Sequence, residues 1–331
     1  TYANTAAERY RFDVSRLAQW EVVFEHMDHK GIFLHFKLQE TEADDLLDQG
    51  ALGAQRKLYY REIIARFSHH LALNWNLGEE CSKSAAQIAE YTQFLYDNDP
   101  YHHHIVVHTG PLKDDEIYTG LTGSQSKLTG PSLQLSSRTF TDVHARVDKW
   151  VDNYASAGKP WACAVDEPGS AGNGLPPDYE TGPTPTDIKH KARLNCLWGT
   201  FLAGGWGNEY YFGYYYDDDD LECEDYRSRD DWWPVCKIAI DFFNAHDFPV
   251  EDMSNRNTLI NLPNPSTGDD GYCFADPGNV YLVYIKFGDS TSLDLRNVSG
   301  TYTVKWFDPR NGGSLQNGTV TSINGGAWRS L

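Results

Sequence analysis

The fold predicted for this 331-residue chain is α/β: a (β/α)8 barrel lacking its first strands, followed by a small antiparallel β-sandwich. Three observations predict it. Short apolar runs alternate with helical periodicity up to about residue 247. Two of those runs end in acidic pairs. From about residue 257 the pattern changes to period-two alternation broken by Gly, Asn, Asp and Pro. Alternating β and α segments imply a mostly parallel sheet, in a barrel or a doubly wound fold. No GxGxxG follows any run, so the dinucleotide-binding version of the doubly wound fold is unsupported and the barrel is preferred.

The elements follow in order. Ser15 is placed to cap a helix whose inner face is Leu17, Trp20, Phe24 and Met27. The strand GIFLHFKL comes next. Tyr60, Ile63, Ile64, Phe67 and Leu71 mark a second helix, which feeds the strand LNWN. Ile88, Tyr91 and Leu95 mark a third, stopped by Asp99-Pro100, and HIVVHTG is its strand. The weaker strand PSLQLSS follows. Thr141 is placed to cap a helix buried through Val143, Val147, Trp150, Val151 and Tyr154, and the strand WACAV comes after it. A helix around Leu194, Leu197, Trp198 and Phe201 leads to the strand NEYYFGYYY, and a last helix runs from about Asp231 to Ala245.

This makes six strands, and the first helix arrives with no strand before it. Two leading strands are therefore expected from an upstream segment or from a second chain. Beyond residue 257, VYLVYIKF, STSLDLRNV, YTVKWFDP and GTVTSI alternate as antiparallel strands do. The expected division is a barrel over 1–250 and an accessory sandwich over 257–331.

Composition narrows the partners. A net charge of −19 argues against nucleic acid and against an anionic membrane surface. No run of eighteen apolar residues is present, so no membrane-spanning helix is expected. Ten Trp and twenty Tyr suit stacking on sugar rings, although core packing is the commoner use of any one ring. The six cysteines have no CxxC spacing, which leaves a zinc cluster unsupported; Cys223 and Cys236 are the candidates for a bridge. The acidic run from Asp217 to Asp220, with Glu222, Glu224 and Asp225, lacks EF-hand spacing. It reads as a solvated loop, with a structural calcium ion as the alternative and Arg227 and Arg229 available to neutralise it. His102, His103 and His104 read as a turn, because adjacent residues entering a strand point opposite ways.

The chemistry lies at two strand ends. LNWNLGEE closes on Glu79 and Glu80, and WACAVDEPG carries Asp166 and Glu167. Two carboxylates facing each other across a barrel mouth are what glycosidic bond cleavage requires. These ends, together with AGGWGNEYYFGY, resemble clan-A glycoside hydrolases. More narrowly, with YLVYIKFGD and VKWFDPRNGG, nearly the whole chain resembles secreted bacterial barrel proteins that end in a β-sandwich named for collagen binding.

The resemblance implies an acid/base at Glu80 and a nucleophile at Glu167. Glu79 stands where the clan carries the Asn that holds a sugar 2-hydroxyl. It further implies a secreted or periplasmic retaining hydrolase that needs no cofactor and acts on a plant or algal polysaccharide. Supporting positions are His35, Gln39 and Glu40 near one strand end, Asn76 before the acid, His108 ending its strand, and Trp206, Glu209, Tyr211 and Tyr214 around the last barrel strand, with Trp206 expected as a stacking platform. Strand-end acids can also merely cap helices or pair with arginine. Two other functions stay open: a non-catalytic carbohydrate-binding or adhesion protein on a degenerate barrel, and a lyase acting on uronic acid chains.

Overall fold

Four strands run parallel and side by side in chain order: β1 (Leu34–Lys37), β2 (Leu73–Asn76), β3 (His104–His108) and β4 (Gly130–Gln134). Leu34 pairs with Leu73, Trp75 with Ile105, and Val106 with Gly130. Helices α1 (Val14–Lys30), α2 (Ala54–Phe67), α3 (Ala85–Asn98) and the short α4 (Asp114–Tyr118) precede or connect them. The computed structural model describes residues 8–219, 225–262, 270–288 and 290–331. The chain divides into two compact units: Thr1–Gln134 with Asp152–Ala162, and Leu135–Val151 with Cys163–Leu331. That division leaves the expected boundary between 250 and 257 inside the second unit.

The first unit is organised by aromatic side chains. Trp75 is fully buried on β2, with Phe36 packed edge-on at 5.6 Å between ring centroids. Phe24 from α1 meets Phe67 from α2 at 5.0 Å. The Trp75 indole N–H donates to Asp99 Oδ2 (2.9 Å), and His103 Nδ1 lies 2.7 Å from the same oxygen. Burial pushes the Asp99 carboxyl up, but the hydrogen bonds from His103, Trp75 and the local backbone outweigh it and bring it to about 2. The three adjacent histidines have separate partners: His102 the Tyr96 carbonyl, His103 Asp99, and His104 Thr129.

Three sequence expectations are corrected here. Asp13, not Ser15, caps α1, accepting from the Arg16 N–H at 3.1 Å. Trp20 is 55% exposed, and Phe24 is the buried residue of that helix. Leu71 lies beyond the end of α2 and is exposed. Ser84 and Gln87 form a capping box at the start of α3 that the apolar pattern alone could not reveal.

The second unit holds two parallel strands, β5 (Ala164–Glu167) and β6 (Gly207–Asn208), with Ala164 opposite Gly207. Helix α5 (Val143–Ser156) contributes residues to both units. Helix α6 (Pro183–Lys191) passes through a π-helical segment, Ala192–Leu197, into α7 (Trp198–Phe201), and α8 (Trp233–Ala245) follows. Of the expected strand NEYYFGYYY only its first residue, Asn208, lies in β6, and irregular backbone follows. Gly213, at φ +79°, sits where a regular strand would continue.

Antiparallel sheets complete the chain: β7 (Ser254–Asn255), β8 (Gly271–Asp276) and β9 (Val280–Ile285) in one; β10 (Ser292–Asp294) with β13 (Trp328–Ser330); and β11 (Thr301–Thr303) with β12 (Ser322–Asn324). Strand β8 is buried on both faces. Tyr272 and Phe274 join Trp198, Leu202 and Ala239 in a core shared with the helices, while Cys273 and Ala275 join Ile260, Leu293, Leu295 and Ile323. His144 ties these layers together: its Nδ1 donates to the Gly199 carbonyl (2.8 Å) and its Nε2 accepts from Asn257 (3.0 Å). Burial pushes His144 down to about 4.

Candidate active site

In the first unit the C-terminal strand ends carry a polar cluster. On β2 the buried Asn76 amide lies 3.0 Å from His35 Nε2 on β1 and 3.5 Å from Ser132 Oγ on β4. Its Oδ1 accepts from the backbone N–H of His108 (3.1 Å) and of Gly78 (3.3 Å). His108, fully buried, lies 3.4 Å from Ser132 through Nδ1. His35, Asn76 and His108 are thus brought together by one parity of three neighbouring strands. Ser132 belongs with them and was missed; PSLQLSS carries it at the matching parity.

The acidic pair lies beyond β2. Backbone bonds continue past the strand: Leu77 N–H donates to Val106, and Glu79 N–H to Gln39. Glu79 is half-buried and pairs with Lys37 at 3.0 Å. Glu80 turns outward at φ +43°, a left-handed conformation that disfavours any side chain with a Cβ. Gln134 holds Glu80 Oε1 through its amide at 2.9 Å. The Thr41 hydroxyl lies 2.7 and 2.8 Å from the carbonyls of Glu79 and Glu80. Glu80 opens on a cleft lined by Cys81, Ser82, Lys83, Gly110 and Lys113. Nearby, partial burial and the Glu79 charge raise the Glu40 carboxyl. Gln39 is buried with both ends of its amide engaged, by Asp44 and by Arg56.

In the second unit Glu167 is the last residue of β5 and is buried. Its backbone carbonyl accepts from Leu135 (2.8 Å), and the Tyr211 hydroxyl donates to its Oε2. Asp166, of the opposite parity, is also buried. Glu209 follows β6, is exposed, and bonds the Val165 carbonyl through its N–H (2.8 Å). The Tyr211 carbonyl accepts from Leu175 (2.6 Å), and a Cβ on Gly174 would stand 2.3 Å from that same oxygen. Glycine at 174 is what allows this approach.

Trp206 lies elsewhere. It precedes β6, its N–H bonds the Cys163 carbonyl, and it is 41% exposed, at the end of the β5–β6 pair remote from Glu167.

Arg229 holds the aromatic segment that follows β6. Fully buried, it donates to the carbonyls of Phe212 (2.6 Å), Leu175 (3.0 Å), Asp218 (2.7 Å) and Asp217 (3.4 Å). Tyr179 bonds the Asp218 carboxylate at 3.3 Å, and Arg227 pairs with Asp225 at 2.9 Å. The remaining calcium candidates, Asp220, Glu222 and Glu224, and the Cys223 end of the expected bridge lie outside the described residues.

Six parallel strands with intervening helices form a partial β/α barrel, and antiparallel sheets follow at the C-terminus. Residues 262–327 match the family described as "Putative collagen-binding domain of a collagenase". Three solved structures are similar over most of the chain. A glycoside hydrolase family 5 protein from Bacteroides vulgatus has a TM-score of 0.64 at 15% identity, over 93% of this chain and 70% of its own. A structure described as a glycoside hydrolase has a TM-score of 0.71 at 13% identity, over 99% and 77%. A further one from Bacteroides vulgatus, described as a "putative glycoside hydrolase", has a TM-score of 0.51 at 16% identity, over 89% and 51%. No curated protein matches the chain. The fold is that of these glycoside hydrolases. Among the described residues no helix is long and apolar enough to cross a membrane.

Proposed function

We propose that the chain is the catalytic part of a secreted retaining glycoside hydrolase that cleaves a plant or algal polysaccharide, with Glu167 as nucleophile and Glu80 as general acid/base. The observation that carries the reading is Glu167 itself: a buried carboxylate on the tip of a parallel strand, with Oε2 held by a tyrosine hydroxyl. Glu80 supports it as an exposed carboxyl fixed through one oxygen by Gln134, so that the second can carry the proton.

In the first step Glu80 gives its proton to the glycosidic oxygen while a Glu167 oxygen bonds the anomeric carbon and the leaving sugar departs as an alcohol. In the second, Glu80 takes a proton from water, whose oxygen displaces Glu167 and restores the configuration. Such a pair works at about 5–5.5 Å. His35, Asn76, His108, Glu79, Glu209 and Tyr211 are the proposed contacts to sugar hydroxyls. The reading leaves Trp206 out and requires two further strands, from upstream or from a second chain, to close the ring.

The test is sugar release from a polysaccharide panel by the wild type, by Glu167→Gln and by Glu80→Gln, with circular dichroism to verify folding. Both variants should lose turnover, and a 2-fluoro glycoside should leave a covalent adduct on Glu167. Full activity in either variant removes the mechanism. A second reading, a carbohydrate-binding or adhesion protein, draws on the match at 262–327; glycan binding by the intact chain without sugar release would favour it. Products with unsaturated, ultraviolet-absorbing ends would instead mark a lyase.

A further inference from the structure

At the end of the first unit's strands opposite the acidic tips, where α2 gives way to β2, two adjacent histidines face the middle of α1. His69 Nε2 lies 2.8 Å and His70 Nε2 3.4 Å from the same Glu21 oxygen, Oε1. Ligand atoms from the three residues lie within 4.8 Å of one another. The two rings are tilted by 35° with 4.2 Å between centroids.

His70 is the decisive member. It is 1% exposed, and its Nδ1 lies 2.6 Å from Asp28 Oδ2. A neutral imidazole bonded to a carboxylate carries its proton on Nδ1, which turns the lone pair of Nε2 toward Glu21. That Nε2 is buried and makes no hydrogen bond. The Nε2 atom and the Glu21 oxygen thus stand 3.4 Å apart with no hydrogen bond joining them, a gap that a cation can fill. Carboxylate–histidine–metal is the common way such an outer carboxylate fixes a ligating imidazole.

We propose that Glu21, His69 and His70 bind a divalent transition metal of the Zn2+ type, with Asp28 orienting His70 from behind. Two nitrogens and one oxygen suit Zn2+ at about 2.0–2.2 Å per bond, which puts tetrahedral ligands roughly 3.3 Å apart. The His70–Glu21 separation is already of that size, and His69 needs to open by about half an ångström. His69 is 52% exposed, so an ion can enter from solvent and complete its shell with water. The ion would clip α1 to the segment entering β2, independently of any hydrolytic activity.

The test uses the intact chain, stripped with chelator and titrated with Co2+ and then with Zn2+. Visible Co2+ bands that saturate at one equivalent and are displaced by Zn2+ are expected, with a Zn2+-dependent rise in melting temperature. Glu21→Gln and His69→Ala, both at accessible side chains, should each weaken binding at least about tenfold, and Asp28→Asn by a similar factor. His102→Ala should leave it unchanged. Failure to bind metal below about 1 mM, a range that weak adventitious sites reach, overturns the proposal; so does binding that survives both Glu21→Gln and His69→Ala.

Discussion

The carboxylates beyond β2 and on β5 stand in opposite surroundings. Glu80 lies four residues past the last residue of β2, exposed, on a left-handed turn, and held by an amide. Glu167 is the last residue of its own strand, buried, on regular backbone, and held by a phenol. The same sequence pattern, an apolar run ending in acid, thus yields one carboxylate open to solvent and one enclosed. On the roles proposed above, the acid/base is the carboxylate open to solvent and the nucleophile the enclosed one.

The most severe way to break this comparison is substitution of the enclosed member. Glu167→Gln should lower kcat by about 10^4-fold or more, against roughly 10^2–10^4-fold for Glu80→Gln. Added azide should rescue Glu80→Ala as a glycosyl azide of retained configuration and Glu167→Ala as one of inverted configuration; the opposite pattern would exchange the two roles.

Acid probes the two units separately. Burial, and then the charge of His35, pushes His104 in the first unit down to about 4, and burial does the same to His144 in the second. Each unfolded imidazole binds a proton near 6.5 while its folded form does not, so the stability each contributes is present above 6.5 and is lost as pH falls toward 4. The loss is at most about 3 kcal/mol apiece, and urea midpoints at pH 7 and pH 4.5 measure it. Asp99, lowered to about 2, acts only below pH 4.

Tyr211→Phe sharpens the account of the enclosed carboxylate. Removing the donor to Glu167 should cost about 1–3 kcal/mol of transition-state stabilisation, a tenfold to hundredfold loss in kcat/KM with little change in melting temperature. Glu80→Gly isolates the backbone from the chemistry: activity falls as for Gln, while relief of the left-handed conformation raises stability by up to about 1 kcal/mol. Gln134→Ala, which frees Glu80, should change stability by less than about 1 kcal/mol, readable as a small shift in the urea midpoint.

Much of the parallel region was legible in the sequence because apolar runs of four or five residues flanked by helical periodicity have few other readings. LNWN, HIVVH and the start of PSLQLSS all became strands. NEYYFGYYY misled because alternating aromatic residues mimic strand periodicity. The segment is instead set by Gly213 and by carbonyls turned toward Arg229, a long-range contact invisible to local pattern. Asp13 displaced Ser15 as a cap because both lie within one turn of the helix start and only geometry chooses between them. The cluster of His35, Asn76, His108 and Ser132 depended on parity across three strand pairings, which register alone supplies.

The guanidinium of Arg229 binds carbonyl oxygens from two separated stretches of chain, around Leu175 and between Phe212 and Asp218. Lysine could not replace it, since one ammonium lacks the flat five-donor fork that reaches in several directions at once. Lengthening or shortening the aromatic stretch by even one residue would swing those oxygens out of reach and carry Tyr211 with them. Arg229 therefore acts as a ruler, and insertions that would be harmless in another surface loop would be paid for here in the aim of a single phenol.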